Sequence, residues 1–236
     1  MINDHSEVID SDYLLSADSQ EEQRAFYKKT YSHVAVAFLV FLLLEFILLS
    51  IPAVQELAIR MTQGWTWLIV LGAFMFATRY AESTVAKADT RGKQYLGFFI
   101  YILAEAFIFV PLLMIGLAVG GSAILLQAFY LTLALFIGLS LVVFMTKKDF
   151  SFLRSAITIG GVIAMGLIVV GMIFGFDLGL WFSVGMVVLA AGSILYQTSN
   201  LIHKYNRDQY VLASLGLFAS FMLLLWYILS ILLDRS

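Results

Sequence analysis

The run Leu195-Tyr196-Gln197-Thr198-Ser199-Asn200, inside the window from Ala190 to Ser220, decides how this chain is read. Its polar side chains close one apolar segment, just before a short basic loop and the last apolar segment. Polar groups in hydrocarbon are costly, so a cluster of them lines a cavity or a helix–helix contact. The rest of the chain then reads as the bundle that encloses these two segments.

Composition supports that setting. Of 236 residues, 61% are hydrophobic and 13% charged. A soluble domain is roughly half apolar and a quarter charged. Water offers no place for the excess apolar surface, so the chain is an integral membrane protein. A net charge of −2 argues neither for nor against nucleic acid, but no basic patch interleaved with aromatics appears, so nucleic acid is not expected as a partner. Cysteine is absent, which removes disulfides, thiol chemistry and cysteine-based metal sites. The N-terminus lacks a basic stretch followed by an apolar core, so no cleavable signal peptide is expected. The first membrane segment then serves as the insertion signal.

Residues 1–30 are acidic at first (Asp4, Glu7, Asp10, Asp12, Glu21, Glu22) and then basic (Arg24, Lys28, Lys29). They read as a cytoplasmic, mostly disordered tail. Residues 31–236 read as one transmembrane domain of seven apolar segments: 31–52, 64–80, 95–118, 122–145, 154–175, 179–201 and 210–233. A hydrocarbon core of about 30 Å needs about 20 helical residues, and all but the short second segment reach that length. Unbroken apolar runs argue for helices over a β-barrel, and a helix satisfies its own backbone in lipid. Twelve of the fourteen Lys and Arg fall in the tail and the second, fourth and sixth connections, leaving Arg60 and Arg235 opposite. The positive-inside rule therefore places the N-terminus in the cytoplasm. Gly116 with Gly120, Gly171 with Gly175, and Gly175 with Gly179 stand four apart, a spacing that lets helices approach closely. Pro111 is expected to kink the third segment.

Few ionisable residues fall within the segments. Glu45 lies in the first, Glu105 in the third, and Arg79 at the cytoplasmic end of the second. An intramembrane acid is a candidate ion ligand or proton carrier; its bland alternative is a carboxyl hydrogen-bonded to a neighbouring helix. Arg79 reads as snorkelling to the headgroups. Trp65, Trp67 and Trp181 fit an interfacial belt, and Trp226 a packing position. His5, His33 and His203 have no partners at metal-ligand spacing, so no metal site and no cofactor are expected. No nucleophile elbow, phosphate loop or zinc helix is present, and the chain is not expected to be an enzyme.

Two motifs carry a resemblance. Thr146-Lys147-Lys148-Asp149-Phe150-Ser151-Phe152-Leu153, after the fourth segment, resembles the Thr-x-x-Asp-Phe-Ser-Phe-Leu loop of the Bax inhibitor-1 (transmembrane Bax inhibitor motif) family. Leu195 to His203 resembles that family's Leu-Tyr-Asp-Thr-Ser-x-Ile-Ile-His segment, and Tyr210 to Ser220 its last helix. The resemblance implies an all-α bundle of seven transmembrane helices with the last helix central. It also implies a bacterial inner membrane and one of two roles, a pH-sensitive calcium leak or modulation of cell death or membrane proteolysis. The family's leak is attributed to two aspartates that share a proton. Carried over by position, they fall on Gln197 and Ser220, and neither can titrate. A carboxylate pair senses pH because two like charges raise one pKa, and calcium prefers carboxylate oxygens. The expectation is therefore a weak Ca²⁺ or other cation leak without the pH switch, with Gln197, Ser220, Glu105, Glu45 and Arg79 as pore or gate positions. The alternative is a non-conducting regulator that contacts a membrane protein such as an ATP-dependent protease through its N-terminal tail.

Overall fold

The computed structural model describes residues 4–235, with side chains from residue 20 onward. The side chains of His5 and of the acidic stretch Asp4 to Asp12 lie outside that description. Seven helices follow in order: α1 (Asp4–Leu49), α2 (Pro52–Met61), α3 (Thr66–Lys87), α4 (Arg91–Thr146), α5 (Leu153–Phe174), α6 (Gly179–His203) and α7 (Tyr210–Asp234). No strand occurs among the described residues.

At 56 residues, α4 would be about 84 Å long if straight, nearly three times a hydrocarbon core. It is instead two arms joined at Gly121, whose φ of 62° and ψ of −158° break the helix. That is left-handed backbone which glycine tolerates without a Cβ penalty. Ring contacts along α1 show that the arms are antiparallel. Ascending α1, His33 meets Tyr95 and Phe41 meets Phe109, so the first arm rises. Over the same stretch Tyr27 meets Phe144, Tyr31 meets Phe136 and Phe38 meets Phe129, so the second arm descends. With the two arms of α4 counted separately, α1, α3, α5, α6 and α7 bring the long helical segments to seven, in the register expected from sequence.

Helix α7 is the axis. It packs against α1, α3, α4 and α6, and its buried residues extend right around it, from Val211 to Leu229. A helix apolar on all sides is one enclosed by others. Phe218 sits against Phe98 and Tyr101, and Phe221 against Phe38 and Phe136. Ser214, fully buried, has its one hydroxyl proton within reach of two carbonyls, that of Tyr210 in its own helix at 2.6 Å and that of Thr30 in α1 at 3.0 Å.

Four details differ from the sequence reading. The tail boundary at residue 30 falls inside the continuous helix α1, where Phe26 and Thr30 are buried and Glu22 pairs with Arg207. Helix α2 is an added ten-residue element opened by Pro52, a residue suited to a first helical turn. The backbone stays helical through Pro111, and the departure falls at Gly121. The Gly175 and Gly179 pair, with φ of 70° and 65°, makes the α5–α6 turn and no helix contact. Gly116 does approach Leu125 of the facing arm and Leu229 of α7, and further close approaches are made by Gly97 against Ala81, Thr84 and Val85, by Gly160 against Leu189, and by Gly216 against Gln197.

Candidate functional site: two cavities meeting at Gln197

Helices α6 and α7 lie side by side with matched small and polar faces. Ser193 and Gln197 stand one turn apart on α6, and Gly216 and Ser220 one turn apart on α7. The Ser220 hydroxyl donates to the Gly216 carbonyl at 2.9 Å, which uses its single proton. Ser193 therefore donates to Ser220 across the seam, at 2.8 Å. A Cβ built on Gly216 would lie 2.8 Å from Gln197 Oε1, so the carboxamide rests directly on the α7 backbone. Gln197 Oε1 has no hydrogen-bond partner.

A cavity of about 800 Å³ runs along this seam, bordered by α3, the first arm of α4, α5, α6 and α7. Its polar lining comprises Glu82, Tyr101, Glu105, Asp177, Ser193, Gln197, Ser220 and Tyr227. A second cavity, about 490 Å³, is lined by Arg79, Glu82, Tyr205 and the same Gln197 and Gly216. The two thus share Glu82, Gln197 and Gly216, and Gln197 stands at their junction.

The sequence-derived positions separate clearly against this geometry. Gln197, Ser220 and Glu105 come together in the large cavity. Glu105 is buried and stands one turn after Tyr101, whose side chain lines the same cavity. Arg79 lines only the smaller cavity; its side chain is 83% exposed and lies 3.6 Å from Glu82, an exposed pair worth little stability. Glu45 borders neither cavity, and both its oxygens lack a partner although only 3% of the residue is exposed. Trp65 and Trp181 are exposed like belt residues, whereas Trp67 and Trp226 stack on each other and line the large cavity. Their segment-end and mid-segment positions gave no hint of that shared role. Glu82, at the shared edge, also went unnoticed, because it lies past the apolar part of its segment.

The two motifs singled out in sequence touch each other. Ser199 accepts from the Phe150 backbone N–H at 3.0 Å and lies 3.5 Å from Asp149 Oδ1. His203 Nε2 reaches the Lys147 carbonyl at 3.2 Å. Within the loop, Asp149 accepts from the Ser151 hydroxyl and from its N–H, which folds residues 149–151 into a tight turn before α5. These two hydrogen bonds hold the Asp149 carboxyl below its ordinary range, with smaller help from His203 and Lys204. Thr146 donates to the Val142 carbonyl and closes the second arm of α4. The loop is thus a clamp on the end of α6 that carries Gln197. The Thr198 hydroxyl and the Asn200 Oδ1 are buried without a hydrogen-bond partner. Among the described residues no three His, Cys, Asp or Glu converge as a metal site.

A bundle with a central last helix, a clamped sixth helix and a polar seam between them defines a class. The family profile described as "Inhibitor of apoptosis-promoting Bax1" matches residues 23–236, and the chain belongs to that family. The chain is 41% identical to the uncharacterized protein PA2604 of Pseudomonas aeruginosa over 45% of its length and 47% of that protein's. It is 32% identical to the modulator of FtsH protease YccA of Escherichia coli, over 58% of the chain and 60% of that protein. It is 26% identical to Bax inhibitor 1 of Schizosaccharomyces pombe, over 70% of the chain and 61% of that protein. The chain thus spans about half to three fifths of these relatives' length.

Proposed function

We propose that this multi-pass membrane protein provides a weak cation leak through the two cavities, with Gln197 and Gly216 as the constriction between them. The observation that carries this reading is the shared lining: Gln197, Gly216 and Glu82 border both a cavity in the bundle interior and one beside Arg79 and Tyr205. The positive-inside rule favours a cytoplasmic N-terminus, and on this reading the smaller cavity faces the same side. Gln197, Ser193 and Ser220 keep their charge state at every relevant pH, so the seam itself is not a proton switch. Calcium is the cation that the family resemblance brings forward, and a bacterial inner membrane is the setting.

Purified protein in liposomes with an enclosed Ca²⁺ dye tests this. Flux above that of empty liposomes is expected, with less than about a twofold change between pH 6 and pH 8. Gly216→Leu, which fills the junction, is expected to lower it several-fold, and Gln197→Leu to lower it without adding bulk. Flux equal to that of empty liposomes would overturn the proposal.

A second reading, regulation of a membrane-embedded ATP-dependent protease, is favoured by the relative named as a modulator of FtsH protease. Phe26 and Thr30 are buried in the bundle and Glu22 pairs with Arg207, so a deletion that tests recognition by the tail without disturbing these contacts stops at residue 19. Deleting residues 1–19 should then abolish capture of such a protease from solubilised membranes while leaving flux intact. Unchanged capture would count against it.

A further inference from the structure

The large cavity has a one-sided charge. Its three ionisable carboxyls are Glu82, Glu105 and Asp177, and no Lys, Arg or His lines it. The acids do not converge on one point, since no group of three metal-capable side chains exists among the described residues. Calcium takes six to eight oxygens around one centre, and this cavity does not offer them. What surrounds the acids is aromatic. Trp67, Phe74, Phe109, Phe182, Trp226 and Tyr227 all line the cavity. Trp226 stacks with Trp67 at 6.1 Å and meets Phe109 edge-on at 5.0 Å, so these rings form one continuous wall. Ring faces carry negative potential and attract organic cations within about 6 Å of their centres. A volume of about 800 Å³ falls within the range of small-molecule pockets and far exceeds a bare ion's needs.

From these features we infer that the cavity between α3, α4, α6 and α7 is a binding site for a lipophilic organic cation, its charge facing Glu105 and its apolar groups against the Trp67–Trp226–Phe109 wall. A neutral molecule of the same shape would gain the wall but not the carboxyl, and a compact hydrated cation the reverse. The site exists whether or not ions cross the bundle, so it stands apart from the leak reading.

The test uses the full chain in lipid nanodiscs with tetraphenylphosphonium as the probe and triphenylphosphine oxide as its neutral counterpart. Empty discs are subtracted. Saturable quenching of tryptophan fluorescence by the cation is expected, because Trp67 and Trp226 lie in the wall, with at least tenfold weaker binding of the neutral compound. Glu105→Gln should weaken cation binding at least tenfold and leave the neutral compound unaffected, while Glu45→Gln, outside the cavity, should change neither. Equal affinity of the wild-type chain for cation and neutral compound would overturn the assignment, and that comparison needs no variant. Full cation binding by a folded Glu105→Gln protein would also overturn it.

Discussion

Glu45 and Glu105 are the same residue type, each in a membrane helix, and they are 3% and 6% exposed. Their surroundings nonetheless differ in kind. Glu105 faces a cavity of about 800 Å³ whose lining also includes Tyr101, Gln197 and Ser220. Glu45 is enclosed by packing, with neither oxygen satisfied, and lines neither of the two cavities. An intramembrane acid is therefore not a functional signal by burial alone. What separates the two is space and a second polar group, and neither is a property of one helix's sequence.

The sharpest way to break this contrast is to supply the missing acids at the seam. The double variant Gln197→Asp with Ser220→Asp places two carboxyls on facing helices, where one proton can be shared. Cation flux should then change about tenfold between pH 6 and pH 8, against the flat profile expected of the wild type. Adding an acid beside Glu45 instead, as Phe41→Glu, should produce no pH-dependent flux, since Phe41 and Glu45 line neither of the two cavities. A flat profile for the double variant would mean that the α6–α7 seam is not on the conducting route.

Next in size is a stability comparison. An unsatisfied buried polar group costs about 1–3 kcal/mol, so Glu45→Met, which fills similar volume without oxygens, should stabilise the protein by about that amount. Glu105→Met replaces a carboxyl that borders a cavity large enough for water, so it should bring no such gain. Thermal unfolding in one detergent compares the two. A loss of stability in Glu45→Met would reveal a partner for Glu45 and erase the difference between the two acids.

The same contrast explains what could be read from the chain. Helix number, the central last helix and the paired positions Gln197 and Ser220 follow from hydropathy and from motifs local in sequence. Contacts between distant residues do not. Ser199 and Phe150 are 49 positions apart, and nothing in either motif says that they meet. Gly216 drew no attention because its meaning lies in Gln197 on the next helix. Helix α2 was invisible because ten residues cannot cross a membrane, and its apolar content blends into a connection. The glycine spacing misled at Gly175 and Gly179 for a related reason, since a four-residue interval fits a tight turn as well as a helix contact.

The smallest expected effects lie in the loop clamp. Ser199→Ala leaves the Phe150 N–H without its acceptor and should cost about 1 kcal/mol, read as faster proteolysis in the loop 147–152. Asp149 adds a pH dependence of definite sign. Its carboxyl is held below the ordinary value of about 3.9 by the Ser151 hydroxyl and N–H, so the charged form is the one favoured by the fold. The clamp it supports is complete above that value and weakens as pH falls through the lowered one. Between pH 5 and pH 8 cleavage of the loop should therefore be constant, and it should rise only in stronger acid. Asp149→Asn keeps an acceptor for Ser151 and removes the charge, so the acid-induced rise should disappear while the neutral-pH rate stays close to wild type. A rise that persists in Asp149→Asn would move the acid sensitivity to another group and leave the clamp without a titrating member.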